Sequence, residues 1–426
     1  LSSLDDQLSQ LRKRIALIDA KYADATPPTV IRPKRSFIEE WGDGAVVENE
    51  FGPHYQIERI FAGHKPHGSA DIGALLELPP TLLDVLSDNE ISGVGPERWA
   101  FLDTETTGLA GGSGTYPFLI GVGRITLRGF VVRQFFMREF AEERSQLAAL
   151  DEHLKQFDVL ITYNGKSYDQ PLLETRYRMN RCRPPFVRMR HLDLLHGARR
   201  LWKLRLESCK LIQLEQQILG VCRDGDLPGH LIPYVYFEYL RDREATKLVP
   251  IFHHNAIDIL TLACLTAIVP AAFRNTDKDS LIRVGVKRGE ELAGIGRWLM
   301  NSGELEQALD VMTRAVDAGL PDRLLFRALW DMASLEKRLE RQHSALQLLN
   351  ELAGCRNDFQ VCALEELAKY YERKEQNFDV ALRFTVQALN LEKSEALMRR
   401  RDRLQRKLER SKTRGLPAQD DLISVQ

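Results

Sequence analysis

The sequence predicts an α/β domain with a mixed sheet, followed by an all-α domain of helical repeats. Two observations carry that prediction. Strand-like apolar runs come first and then alternate with helical periods between residues 97 and 275. Beyond about Ser280 the β signal stops, and three Ala/Leu-rich phrases recur with first positions 37 and 36 residues apart, at Ala308, Ala345 and Ala381. A length of 426 residues suits two or three domains.

The elements follow in chain order. Residues 1–25 read as a short amphipathic helix, because Leu4, Leu8, Leu11, Ile15 and Ile18 fall at three- and four-residue steps. Residues 26–96 hold Pro27, Pro28, Pro33, Pro53, Pro66, Pro79 and Pro80 among many glycines, and read as a largely irregular arm. The α/β domain spans 97–275. Trp99–Glu105 is strand-like, and Phe118–Ile125 and Phe130–Met137 are β-rich runs around the hairpin signal Arg128-Gly129. A helix is expected over Glu142–Gln156, a buried strand over Val159–Tyr163, a helix over Pro171–Met179 and a strand over Val187–Leu192. Helical segments then fill about 195–220 and 254–268. Residues 283–410 form the repeats, whose small/large spacing resembles tetratricopeptide-type helical pairs in degenerate form. A charged tail, 411–426, reads as disordered.

Bulk composition sets bounds. A formal net charge of -1 gives no whole-chain attraction for nucleic acid. Six scattered cysteines without a Cys-x-x-Cys pair read as free thiols in a reducing compartment, not a disulfide framework or zinc site. No signal-peptide core is evident, and no run suggests the ~18 apolar residues of a membrane span. A cytoplasmic protein without membrane contact is the expectation.

Three short phrases carry chemistry. In Phe101-Leu102-Asp103-Thr104-Glu105, residues i and i+2 of a strand share a face, so Asp103 and Glu105 stand side by side. Like charges that close raise each other's pKa unless a cation intervenes, and hard oxygen donors suit magnesium or manganese. In Tyr163-Asn164-Gly165-Lys166-Ser167-Tyr168-Asp169, Asp169 lies on a loop at a strand's carboxyl end, where α/β sheets place ligands. By itself Asp169 could equally be a helix cap. In His253-His254-Asn255-Ala256-Ile257-Asp258, a carboxylate sits in an apolar helical pattern, where burial is costly without a partner. If the helix has begun by His254, then His254 and Asp258 share a face at i,i+4. His253 joins them only from a loop before the helix. An ordinary His–Asp pair at a helix start is the plain alternative.

Taken together, these phrases resemble the DEDD exonuclease superfamily, the DnaQ-like branch of the RNase H-like fold. The resemblance covers about residues 97–270, with Asp103 and Glu105 in the first motif, Asn164 and Tyr168-Asp169 in the second, and His253/His254 with Asp258 in the third. More narrowly, His191-Leu192-Asp193-Leu194-Leu195 and Leu227-Pro228-Gly229-His230-Leu231-Ile232-Pro233 resemble a bacterial YprB-type RNase H-like group, which also carries helical repeats behind the nuclease. The resemblance implies a phosphodiester hydrolase using two divalent ions, Mg2+ or Mn2+, held by Asp103, Glu105, Asp169 and Asp258. Two such ions, about 3.5–4 Å apart in this chemistry, would activate water and stabilise the leaving oxygen. One histidine, His254 or His253, would take the water's proton. The residues favour His254 through the shared helix face, and the Asn255 that follows it resembles the narrower group.

The expected activity is 3′-5′ exonuclease. Internal or structure-specific cutting is the alternative within the fold, and a non-catalytic scaffold using the repeats is the alternative outside it. For substrate binding, residues 175–210 contain eleven Lys/Arg against Asp193 and Glu207. Nucleic-acid contacts are expected from Asn164, Lys166, Tyr168, Arg176, Arg199, Arg200 and Lys203. Tyr163 and Trp202 are further stacking candidates. Asp193 reads as a helix cap. The expected partner is a single strand or strand end, with a protein partner open to the repeats.

Overall fold

The computed structural model describes residue 13 and residues 37–87, 90–108, 114–223 and 225–414. The amphipathic helix expected at 1–25 lies, apart from Lys13, outside the described residues.

A seven-stranded mixed sheet is formed by β1 (Ala45–Asn49), β2 (Gly52–Ala62), β3 (Trp99–Thr106), β4 (Pro117–Thr126), β5 (Gly129–Phe136), β6 (Val159–Thr162) and β7 (Arg190–Asp193). Its order is β1-β2-β5-β4-β3-β6-β7. The pairs from β1 to β3 are antiparallel, whereas β3 with β6 and β6 with β7 are parallel. Strands β3 to β7 fall close to their expected positions, although the segment around Pro185–Arg188 is a 3-10 turn that delays β7.

The arm is the first correction. Residues 45–62, expected to be irregular, are a hairpin that extends the sheet, with β2 paired to β5 from Tyr55↔Phe136 to Ala62↔Gly129. Of its polar residues, Glu58 bonds Arg133 on the neighbouring strand at the surface, while His54 is buried and meets Ser145 Oγ at 2.8 Å.

Helices cover both faces. On one face, α1 (Glu143–Leu154) and α2 (Asp169–Met179) bury Leu147, Leu150, Leu173 and Tyr177 against Ala100, Leu102, Ile120 and Phe135. On the other, α3 (Leu194–Trp202) and the long α5 (Val249–Arg274) pack against Phe101, Phe130 and Ile161. Between them in sequence lies α4 (Ile232–Asp242), unforeseen, which stacks Tyr236 on Phe118 with ring centroids 3.9 Å apart.

The axis of α5 determines the second correction. Thr246–Arg274 is long and apolar enough to cross a membrane on composition, contrary to the expectation that no run suggests it. It is apolar on all sides because it is a core helix, with 72% of its most apolar window buried. A close approach makes this possible: a Cβ on Gly121 of β4 would stand 2.2 Å from Asn255 Oδ1 and 2.3 Å from Ile259 Cδ1.

Behind the sheet domain come α6 (Gly289–Ser302), α7 (Leu305–Asp317), α8 (Asp322–Arg338), α9 (Gln342–Gly354), α10 (Gln360–Arg373), α11 (Phe378–Leu391) and α12 (Glu395–Arg414). Ala308, Ala345 and Ala381 are each the fourth residue of α7, α9 and α11, and all three are fully buried. Small residues at that position let neighbouring helices close on one another, which accounts for the repeated spacing in the sequence. The last helix runs to Arg414, past the expected end of the repeats; 415–426 lie outside the described residues.

Candidate active site

The site lies at the carboxyl end of β3. Asp103 and Glu105 share the face covered by α5, as the period-2 argument requires, and a β-bulge follows at Glu105/Thr106. The fully buried strand behind them, Trp99–Leu102, fixes their position. Helix α5 contributes Asn255 and Asp258: Asn255 Nδ2 donates to Asp103 Oδ2 at 2.8 Å, and Gln134 Nε2 donates to Asn255 Oδ1 at 2.8 Å. Asp169 arrives from the opposite face as the first residue of α2, where it accepts from Thr104 Oγ1 at 2.5 Å. Residues up to 155 positions apart in sequence thus meet at one strand end.

Electrostatics follow from that convergence. Burial pushes Asp103 well above the usual carboxylate range, and Asp258 and Asp169 push it further. Glu105 is raised well above its range by burial and then by Asp103, Asp258 and Asp169. Asp169 is raised to about 6, burial outweighing the hydrogen bond from Thr104. Asp258 is raised by burial, against the pull of His254 and Arg223.

Two histidines separate clearly. Helix α5 begins at Val249, so both are helical and the i,i+4 relation holds for His254. His254 Nε2 lies 3.6 Å from Asp258 Oδ2, while its Nδ1 is 2.9 Å from Asp226 Oδ1. A carboxylate acceptor at Nδ1 keeps the proton on that nitrogen and leaves the Nε2 lone pair toward the acids. His253 is exposed and lines a 250 Å3 cavity with Cys222, Arg223 and Asp226, on the far side of the two residues that contact Asp258 and His254.

Three residues went unseen in the sequence. The Arg223 guanidinium is buried among acids: Nη2 donates to Asp258 Oδ1 at 2.5 Å and bonds Glu215, whose Oε1 also accepts from Nε at 2.8 Å, while Nη1 lies 3.4 Å from Asp226. Glu215 is fully buried and also accepts from Thr261 at 2.9 Å. Arg223, Glu215 and Asp226 belong to no periodic pattern, and only the fold reveals their contacts. Gln134, a fully buried polar residue in the apolar strand Gly129–Phe136, was the one available hint of a polar partner across the sheet.

The donor set fits a divalent cation. Four hard oxygen acids converge; burial raises all of them, joined at Asp103 and Glu105 by repulsion from the neighbouring carboxylates, and a bound cation would offset both effects. Among the described residues they do not form a closed cage of three or more ligands. Three of them are tied to the protein instead, Asp103 to Asn255, Asp169 to Thr104 and Asp258 to Arg223.

Other expected contacts need revision. Arg176 is not available to a strand: it is 2% exposed, donates to Glu143 from Nε and Nη2 at 2.5 and 2.7 Å, and covers the Tyr116 ring. Trp202 is fully buried, and Tyr163 is held by the Cys209 carbonyl. Tyr168 is half-buried, its hydroxyl donating to Gly108 O at 2.6 Å, so it pins the segment after β3. Asn164 and Lys166 are exposed beside Asp169, on a loop whose backbone N–H groups donate to Asp193 at 2.8 and 3.2 Å. Asp193 also caps α3 through Leu195 N, as expected. Arg199, Arg200 and Lys203 are exposed on α3.

Residues 100–269 match the RNase H superfamily, which agrees with the sheet order and the position of α5. The class is therefore an RNase H-like protein with a helical domain behind it. Within that class, the chain is 34% identical over 400 residues to the uncharacterized protein YprB of Bacillus subtilis (strain 168), across 91% of this chain and 94% of that protein. The chain belongs to the YprB family of RNase H-like proteins.

Proposed function

We propose that this chain is a divalent-metal-dependent nuclease that removes nucleotides from the 3′ end of a nucleic-acid strand. The observation that carries the reading is the convergence of Asp103, Glu105, Asp169 and Asp258 at one strand end, each with its carboxyl pushed up. Clustered acids with strongly raised carboxyls are the arrangement that active sites use.

Asp103, Glu105, Asp169 and Asp258 are the residues that would hold Mg2+ or Mn2+. Bound there, the ions supply an acidified water and charge on the leaving oxygen. His254 takes the proton of the attacking water at Nε2, and Asp226 orients the ring through Nδ1. Asn255 and Gln134 position the Asp103 carboxylate. Glu215 anchors Arg223, which balances charge beside Asp258. Asn164 and Lys166 stand beside Asp169 to meet the strand's phosphates. The helical pairs behind the sheet are read as tetratricopeptide-like.

A strand labelled at its 5′ end, incubated with the full chain and Mn2+, tests this. A ladder shortening from the 3′ end is expected. A single internal product would replace the exonuclease reading with an endonuclease, and no cleavage of DNA or RNA would leave a non-catalytic scaffold.

A further inference from the structure

Seven of the eleven cations of residues 175–210 fall into two groups in the fold, and the other four, Arg181, Arg183, Arg190 and Lys210, are exposed outside both. Arg176, Arg178, Arg188 and Arg205 pair with Glu143, Glu174, Asp151 and Glu291 and are used to hold the structure together. Arg199, Arg200 and Lys203 are exposed and form no salt bridge among the described residues; Lys203 reaches only the Glu207 carbonyl. These three line one side of a 450 Å3 cleft whose other side is α6 of the helical domain, with Arg297, Trp298 and Asn301.

The cleft is a fixed feature of the junction. The Arg205–Glu291 pair, 2.6 Å long and almost fully buried on the glutamate side, ties the sheet domain to α6. Gly294 lets the two domains touch, since a Cβ there would stand 2.3 Å from the Arg200 carbonyl. Arg297 on the α6 wall is paired with the buried Asp331, so the positive excess of the cleft comes from Arg199, Arg200 and Lys203. Trp298 is half-buried on Phe273, leaving part of its indole at the cleft.

We infer that this cleft is a second binding site for the phosphate backbone of the strand whose end is cut, with the helical domain forming one of its walls. This rests on the nuclease reading above. Charge selects a polyanion, and location selects the strand over an acidic protein. Helix α3 is capped by Asp193, whose carboxylate holds the Asn164–Lys166 loop beside Asp169. At 1.5 Å per residue, Arg200 lies about 10 Å further along that helix, within reach of the same strand a few nucleotides from its end. An indole beside unpaired cations is also the combination that holds single strands, by stacking and phosphate contact together.

The test is binding by the full chain of a fluorescein-labelled single strand of about 20 nucleotides, without divalent ions, across a salt series. The Arg199→Gln/Arg200→Gln/Lys203→Gln variant, its fold checked by circular dichroism, is expected to bind at least about tenfold more weakly. Its slope of log affinity against log salt should be shallower by about 2, three contacts at about 0.7 each. Trp298→Phe should bind nearly as wild type and Trp298→Ala more weakly. Unchanged affinity and slope in the triple variant would overturn the cleft while leaving any cleavage activity intact. Wild-type preference for polyglutamate over the strand would overturn it in favour of an acidic protein. Wild type that binds but never cuts, with the triple variant still losing slope, would uphold the cleft and remove the nuclease reading alone.

Discussion

Two buried charge clusters in this chain are built on opposite rules. In the helical domain, Glu372 is 5% exposed, and Arg400, Arg403 and Lys407 reach it at 3.0, 2.9 and 2.9 Å. Burial raises its carboxyl, but the hydrogen bonds from Arg403 and Lys407 win and hold it down to about 2. At the end of β3, burial is joined by neighbouring acids, and Asp103 and Glu105 go up. The first cluster joins α10 to α12. The second works against the fold that contains it, which is the physical signature of a site rather than a joint.

The largest expected effect separates the clusters by activity. Asp103→Asn or Asp258→Asn should lower strand cleavage by about 10^3-fold or more, about 4 kcal/mol in barrier; the melting temperature of Asp103→Asn should be held or raised because one of several repelling charges is gone, whereas Asp258→Asn also weakens the pair with Arg223. Purified variants that cleave as wild type would break the comparison. Next, His254→Gln should cost about 10^2-fold in kcat, and His253→Gln less than about threefold, in single-turnover assays with Mn2+. Equal losses would mean that the orientation of His254 by Asp226 has no catalytic meaning.

Stability then reads the other cluster. Glu372→Gln leaves three cations facing a neutral group, two of them partly in solvent, and should cost about 2 kcal/mol in urea unfolding with cleavage intact. The smallest effect is in pH, and its sign differs between the clusters. Asp169 has a folded value of about 6 against an ordinary 3.8, so the stability it contributes when protonated is present below about pH 4 and is lost as pH rises through 6. Glu372, at about 2 against an ordinary 4.5, contributes above 4.5 and loses its contribution as pH falls toward 2. The metal-free protein should therefore melt a few degrees lower at pH 7 than at pH 5, and millimolar Mn2+ should restore more at pH 7. A restoration independent of pH would disconnect the ions from these acids.

What the sequence disclosed depended on how far apart the interacting residues lie. Asp103 and Glu105 were legible because strand period alone puts them on one face, and His254 with Asp258 because helix period does the same. Strands β3 to β6 were legible from predominantly apolar runs. Strand β2 was not, since Pro53 and the polar residues His54, Gln56, Glu58 and Arg59 interrupt its apolar positions, and its pairing with β5 supplies what composition hides. The Arg176 misreading has the same origin, because its partner Glu143 is 33 residues away. Arg223 was invisible for that reason too, as its bond to Asp258 spans 35 residues.

The central claim is most directly tested by diffraction from crystals of the full chain soaked in Mn2+, with data collected at the manganese edge. The account predicts two anomalous peaks bounded by Asp103, Glu105, Asp169 and Asp258, with Arg223 released from Asp258 to admit them. Peaks confined to other surfaces, or the four carboxylates unchanged at saturating Mn2+, would contradict it.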